Sequence, residues 1–143
     1  MSDPVPLQTP GGFAPVVALG LDDGTGNLAV VTTAAPLPVQ TTAPAAPPAL
    51  GGETQGDLVA GPFEPVPFTP VFCTLSGDFT GSVKVMRSTD GGATLHPLTA
   101  AGAQWGAFSG PACEPVWQES EVGATLWLNC EVTSGTLTYR LAQ

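Results

Sequence analysis

The stretch 81–98 (GSVKVMRSTDGGATLHPL) constrains the fold of this chain more than any other, because it has the pattern of a β-hairpin. In its first half Val83 and Val85 alternate with residues that can face solvent, as in a strand with one buried face. The Asp-Gly-Gly at 90–92 supplies a tight turn, since glycine adopts positive φ angles without steric cost. Pro97 restricts the return strand to a sheet edge or a short length. The stretch therefore predicts strand, turn and strand.

The remainder of the second half repeats this pattern. The clearest alternation sets Leu126, Leu128, Cys130 and Val132 on one face of a strand. No segment has a sustained helical period of apolar residues, so helices are not expected. Short strands separated by glycine-containing turns are typical of a β-sandwich or barrel. The predicted strands cover residues 56–60, 69–75, 82–88, 94–98, 105–108, 114–118, 123–132 and 136–141.

Residues 1–50 differ in composition from the rest. They contain nine of the 16 prolines and a single aromatic residue, Phe13, which is too little for a hydrophobic core. Two β-like runs, 13–19 and 28–32, flank the turn-rich residues 21–27 and predict a small hairpin. The prolines that follow favour an extended chain. We therefore predict an all-β protein with an extended arm at 1–50 and an antiparallel β-sandwich, immunoglobulin-like or jelly-roll, at 51–143, hinged at Gly51-Gly52.

The arm is expected to dock on another subunit, because an isolated hairpin is at best marginally stable in water. A semi-rigid linker is the alternative interpretation. Trp127 is a further contact candidate, since its predicted strand face carries polar rather than core residues. The full set of interface candidates is Phe13, Val16, Val17, Leu28, Val30, Leu37, Val39 and Trp127.

The charge balance limits the class of partner. The chain has 3 Lys and Arg against 12 Asp and Glu, for a net charge of −9. Nucleic-acid binding needs a basic surface, and an anionic membrane also repels an acidic protein. Neither partner is expected, and neither a bilayer-spanning run nor a secretory signal is predicted. Charged residues make up 10% of the chain, against about 25% in an average soluble domain, so partner subunits are expected to cover much of the surface.

Metal, cofactor and thiol chemistry are not expected. The three cysteines, Cys73, Cys113 and Cys130, lack CxxC spacing, and His96 is the only histidine. We interpret the cysteines as buried free thiols, although one pair could meet across a sandwich. The acidic turn at 22–27 does not have the ligand spacing of an EF-hand, so it is interpreted as a turn and not as a calcium site.

Residues 88–95 (STDGGATL) resemble the Asp-box, S-x-D-x-G-x-T-W, of sialidases and related β-propellers, with Leu95 in place of the final tryptophan. In those families the motif is a structural turn remote from the catalytic centre. It occurs once here, and 143 residues are too few for a propeller. We interpret it as turn chemistry, in which the Asp90 carboxylate accepts backbone hydrogen bonds.

Two acidic residues near a tryptophan raise the question of catalysis. Glu119 and Glu121 follow Trp117, and paired carboxylates are used by glycosidases. The favoured interpretation places both on one solvated strand face, so no enzymatic activity is predicted. Trp105, Trp117 and Trp127 could form a sugar-stacking platform, but core or interface anchors are the favoured interpretation.

The chain resembles small virion proteins of tailed bacteriophages and prophages. The resemblance lies in a DG-x-G-N…PLPV pattern in the arm and in turn and strand motifs of the domain, at residues 21–27, 35–39, 75–83, 87–92, 114–117, 121–124 and 133–141. It implies a virion component and brings no catalytic residues.

The expected function is therefore that of a capsid decoration, cement or head-fibre protein on the outer surface of the head. The arm would anchor it to the major capsid protein or another virion subunit, and the domain would form a homo-oligomer, with a trimer favoured. The alternative is a carbohydrate-binding adhesin domain of a tail or neck fibre, which would bind a host-surface glycan. A small hydrolase using Glu119 or Glu121 is the remaining hypothesis.

Overall fold

The computed structural model describes residues 20–22, 28–31, 33, 39 and 41–143. The chain forms two compact units, Met1–Thr42 and Ala43–Gln143. Every regular element of the described residues is a β-strand, which confirms the predicted all-β class.

The strands are β1 (Gly20–Asp22), β2 (Leu28–Val30), β3 (Leu50–Thr54), β4 (Leu58–Phe63), β5 (Pro70–Ser76), β6 (Phe79–Ser88), β7 (His96–Pro97), β8 (Thr99–Ala100), β9 (Ala103–Gln104), β10 (Ala107–Phe108), β11 (Ala112–Gln118), β12 (Thr125–Gly135) and β13 (Leu137–Ala142). All strand pairs among them are antiparallel.

In the first unit β1 and β2 pair as a hairpin, with Gly20 opposite Val30. A hairpin is thus present, but its first strand occupies Leu21 and Asp22, which the sequence pattern assigns to the turn. The other residues of the predicted turn, 23–27, lie outside the described residues. The predicted strand 13–19 lies outside the described residues.

The second unit is a sandwich of two sheets. The first sheet has the order β11-β5-β13-β3, and the second has the order β10-β6-β12-β4, with β7 also paired to β6. Apart from the short strands between β6 and β11, the chain crosses from one sheet to the other at each successive strand. The first and last strands of the domain, β3 and β13, are neighbours. This strand order is the jelly roll, which decides between the two topologies left open by the sequence.

The core lies between the two sheets. The alternation predicted for β12 is confirmed, because Leu126, Leu128 and Cys130 are fully buried and face the other sheet. Burial of one face of each strand is the main stabilising contribution, at about 25 cal/mol per Å² of apolar surface. The largest buried apolar side chains are Phe63, Val71, Val83, Val85, Leu126, Leu128, Leu137 and Leu141.

The predicted hinge at Gly51-Gly52 is wrong, since both glycines lie inside β3 and pair with Arg140 and Tyr139. Gly52 packs closely against Tyr139: a Cβ at this position would lie 2.7 Å from the hydroxyl oxygen, so the tyrosine side chain would have to move. The absent side chain makes room for the tyrosine, whereas the sequence pattern associates paired glycines with flexibility.

The loops between strands form two ends of the sandwich. The polar end consists of residues 55–57, 77–78, 109–111 and 136. The apolar end consists of residues 64–69, 89–95 and 119–124. Residues 43–49 lead into β3 at the apolar end, because Leu50 pairs with Leu141 near the end of the last strand.

Candidate functional site at the apolar end

The turn at 88–94 has the geometry expected from its motif. Ser88 Oγ donates to Asp90 Oδ1 at 2.7 Å and accepts the backbone N–H groups of Asp90 and Gly92. Thr94 N donates to Asp90 Oδ1 at 2.9 Å. Hydrogen bonds from Ser88 and then from Thr94 lower the pKa of the Asp90 carboxyl to about 2. The interpretation as turn chemistry is confirmed, and the return strand is shortened to β7 at the sheet edge, as Pro97 predicts.

Trp127 lies beneath this turn, on the outer face of the second sheet. A Cβ added at Gly61 or at Gly92 would overlap the indole ring, so both backbone segments pack directly against it. The indole Nε1 donates to Thr125 Oγ1 at 3.0 Å. The ring is therefore half-buried by its own chain, and Trp127 attaches the 88–94 turn to the sheet.

The other two tryptophans lie in different environments. Trp117 packs against the core, and its Nε1 donates to Glu119 Oε2 at 3.2 Å. Trp105 is 48% exposed, and its Nε1 donates to the Val116 carbonyl at 2.7 Å. It lines a cleft of about 170 Å³ together with Gln104 and Glu114. The three rings do not form one platform.

The interpretation of Glu119 as a solvated residue is wrong. Its side chain is 2% exposed, and both of its oxygens are bound by Arg87, with Nε–Oε2 at 2.7 Å and Nη2–Oε1 at 2.9 Å. Arg87 Nη2 also binds Glu121 Oε2 at 2.7 Å, and Glu121 stays largely exposed. Strand β11 ends at Gln118, so strand alternation does not extend to the acidic residues. The turn directs Glu119 towards Arg87 instead.

The electrostatics of this pair oppose acid catalysis. The Arg87 guanidinium, with the N–H groups of Glu121 and Ser120, lowers the pKa of Glu119 to about 2, although burial acts in the opposite direction. The hydrogen bonds that Arg87 donates to the carboxylates of Glu119 and Glu121 raise its pKa. A general acid has to carry a proton near its working pH, and this carboxyl is ionised at neutral pH. These ion pairs therefore act as a clamp that holds the 119–124 loop against β6.

The 64–69 loop is fixed to the same region by hydrogen bonds. Phe68 N donates to the Glu119 carbonyl at 2.7 Å, and Gln118 Nε2 donates to the Phe68 carbonyl at 3.2 Å. The side chain of Gln143 accepts from Val66 N at 2.7 Å and donates to the carbonyls of Val66 and Thr69. The backbone of this loop is therefore held on both sides.

The 64–69 loop and the neighbouring 119–124 loop expose apolar side chains. Phe68 is 71% exposed and Val122, on the neighbouring loop, is 87% exposed. Phe68 also has a φ of 63°, in a region that bulky residues rarely adopt. A groove of about 470 Å³ runs between the loops, lined by residues 64–67, 122–125 and Gly91. Strained, exposed positions of this kind are associated with functional sites.

The predicted arm contacts are only partly within the described residues. Val39 is exposed. Leu28 and Val30 lie in β2. Phe13, Val16, Val17 and Leu37 lie outside the described residues, so their part in an interface stays a prediction.

The cysteines do not form a disulfide among the described residues. Cys73 and Cys130 are buried free thiols, as predicted, and burial raises their pKa values to about 12 and about 11. Cys113 differs from the prediction because it is exposed, with its sulfur 3.6 Å from Thr74 Oγ1. His96 is exposed on β7. In the part of the chain that the structure describes, no three His, Cys, Asp or Glu side chains are placed to hold a metal ion.

Comparison of the chain with protein-family models, with curated proteins and with solved structures finds no match. Within the described residues there is no helix whose length and hydropathy would suit a bilayer-spanning segment.

Sequence reasoning does not identify Phe68, Val122 or the role of Arg87. One signal was present: Phe68 lies within P-V-P-F-T-P, residues 65–70, where prolines mark an apolar loop. The pairing of Arg87 with Glu119 has no such signal, because the two residues are far apart in sequence and meet only after the sheets form.

Proposed function

We propose that this chain is a non-enzymatic structural protein of a bacteriophage virion, of the capsid decoration, cement or head-fibre type. Residues 1–50 attach it to the major capsid protein, and the jelly-roll domain is displayed on the outer surface of the head. The observation that carries the proposal is the jelly-roll strand order, since this architecture recurs in viral capsid proteins. That support is an analogy of fold, and it adds to the sequence resemblance described above.

The chemistry of the domain is consistent with a binding role. Within residues 41–143 the one buried carboxylate, that of Glu119, is neutralised by Arg87, and the buried thiols are kept protonated at neutral pH. Within residues 41–143 the most exposed of the large hydrophobic side chains are Val122, at 87%, and Phe68, at 71%. These are features of a surface that contacts another macromolecule.

The arm suits attachment to a lattice. Its prolines restrict the unfolded chain, so less conformational entropy is lost when it is laid along a partner. Main-chain pairing by its hairpin would supply affinity without many charges. Many copies on a symmetric shell, and a trimer of domains, would multiply a weak single contact through avidity.

The test is co-sedimentation with heads of the encoding phage prepared without this protein. The full chain and residues 43–143 would be compared, because the compact unit begins at Ala43 and a later truncation would damage β3. Stoichiometric binding that needs residues 1–42 is the expected result. No binding by the full chain would overturn the proposal, and equal binding by both would overturn the role of the arm.

The second candidate is a carbohydrate-binding domain of a tail or neck fibre. Trp105 favours it, because this half-exposed residue lines a cleft together with the polar residues Gln104 and Glu114. A stacking ring with adjacent hydrogen-bonding groups is a common arrangement for sugar recognition. A glycan array with the full chain and Trp105→Ala tests it, with Trp127→Ala as the comparison. No glycan binding by the full chain would exclude this candidate.

A further inference from the structure

We infer that the apolar end of the domain is a protein-docking surface, which binds an apolar segment flanked by Lys or Arg on the partner to which residues 1–50 are proposed to attach. The identity of that partner rests on the proposed function. The existence of the surface and the chemistry it selects rest on the structure of the 64–69 and 119–124 loops.

The apolar side chains of this end are presented on a rigid support. Exposed apolar residues on a mobile loop lose conformational entropy when they bind. Here the backbone on each side of Phe68 is fixed by Gln118, Glu119 and Gln143. The Phe68 ring therefore projects from a preorganised loop, which is the property of an anchor residue in an interface.

The backbone of Phe68 is strained. A φ of 63° costs a bulky residue on the order of 1–2 kcal/mol relative to a glycine. The ring contributes little burial to the domain in return, because most of it is exposed. The fold by itself does not need phenylalanine at this position, whereas an interface would.

The charges of this end favour a basic partner. Within residues 41–143, the charged side chains of this end are those of Glu64, Asp90, Glu119 and Glu121, against the guanidinium of Arg87. Arg87 is already engaged by two of the carboxylates, and Glu64 lines the groove itself. A complementary surface is therefore basic around its apolar centre.

The chain enters the domain at this same end. Residues 43–49 lead into β3 at this end, and Pro47 and Pro48 lie in a cleft with Glu64, which also lines the groove. A partner bound by the preceding residues is thus at high effective concentration near the groove. A second contact there needs little affinity of its own.

The test uses the full ¹⁵N-labelled chain and a short peptide of alternating leucine and lysine, observed by NMR. We expect shifts at Val66, Phe68, Val122 and Gly123, and none with the matching leucine–glutamate peptide. Phe68→Ser and Val122→Ser should each weaken binding at least tenfold, equivalent to about 1.4 kcal/mol. Phe72→Ser and Val59→Ser are the matched controls, because they make the same changes at half-exposed positions elsewhere.

Several outcomes would overturn the inference. These are shifts elsewhere in the domain, equal binding of both peptides, or equal losses in the controls. Binding of phosphatidylcholine vesicles in place of the peptide would assign the surface to lipid. A concentration-dependent oligomer that Phe68→Ser abolishes would assign it to a second copy of the chain.

Co-sedimentation with the heads separates this inference from the proposed function. If the wild-type chain binds heads and Phe68→Ser with Val122→Ser binds as tightly, the docking surface is wrong and the function stands. If the wild-type chain does not bind heads, the function is wrong, and the peptide titration alone decides whether the surface exists.

Discussion

The two ends of the jelly roll are closed by different means. At the polar end the backbone closes on itself: Thr136 N donates to the Asp78 carbonyl at 2.8 Å, and Gly77 and Gly135 adopt positive φ angles beside it. At the apolar end side chains take part as well: Arg87 binds Glu119 and Gln143 binds the 64–69 loop, in addition to the backbone bond from Phe68 N to the Glu119 carbonyl.

A small sandwich with two differently closed ends can present binding side chains at one of them. Backbone closure requires glycine, because a Cβ at Gly77 or Gly135 would overlap a carbonyl oxygen of the facing turn. Such turns present few side chains to a partner. Closure by buried side chains leaves the other residues of the loop free to point outward, and Phe68 and Val122 do so.

The largest effect is expected from a side chain at the polar end. Gly135→Ala should destabilise the domain by about 4 kcal/mol, because positive φ strain adds to a collision with the Asp78 carbonyl. Gly91→Ala is the control at the apolar end, where φ is 72° but no atom lies within 4 Å. It should cost about 1 kcal/mol. Urea unfolding of both variants measures the difference, and equal losses would contradict it.

The next effect tests the clamp of the apolar end. Glu119→Gln should cost about 3 kcal/mol, since it leaves the Arg87 guanidinium without its buried partner. Glu121→Gln is the matched control at an exposed position and should cost less than about 1 kcal/mol. Thermal unfolding measures both. Similar values for the two variants would mean that burial of Glu119 does not matter to stability.

A smaller effect is expected from pH. The folded pKa of Glu119 is about 2, below its ordinary value of 4.5, so its stabilising contribution is present above pH 4.5 and is lost as pH falls towards 2. We expect a loss of about 2 kcal/mol over this range, because Arg87 is partly exposed and solvent screens the pair. Asp90 titrates in the same range, so the difference between wild type and Glu119→Gln isolates Glu119. If the stabilities of the two proteins depended on pH in the same way, Glu119 would not contribute this loss.

The smallest effect tests whether the fold needs the exposed phenylalanine. Phe68→Asn should leave stability unchanged or raise it by about 0.5 kcal/mol, because asparagine tolerates a φ of 63° better. Phe72→Asn should instead cost about 1 kcal/mol, since asparagine is a poor strand residue and Phe72 lies within β5. A clear loss of stability in Phe68→Asn would show that the ring contributes to the fold.

Local patterns predicted much of this architecture. The alternation around Leu126 places β12 correctly, and the turn at Asp90 forms with the hydrogen bonds that its residue types suggest. Both features depend on neighbours in sequence. The two wrong predictions depend instead on contacts with other strands. Gly52 pairs with Tyr139 in β13, and Glu119 is buried against Arg87 in β6. Each of these partners is distant in the chain.

By itself the sequence determined the all-β class, the positions of most strands and the chemistry of the Asp90 turn, because these follow from side-chain alternation and from glycine geometry over a few residues. Only the tertiary structure decided the jelly-roll order, the burial of Glu119 and the exposure of Phe68 and Val122. Strand order depends on which distant edges pair, and burial depends on what then packs above each residue. Neither quantity is local, so no short pattern could have predicted it.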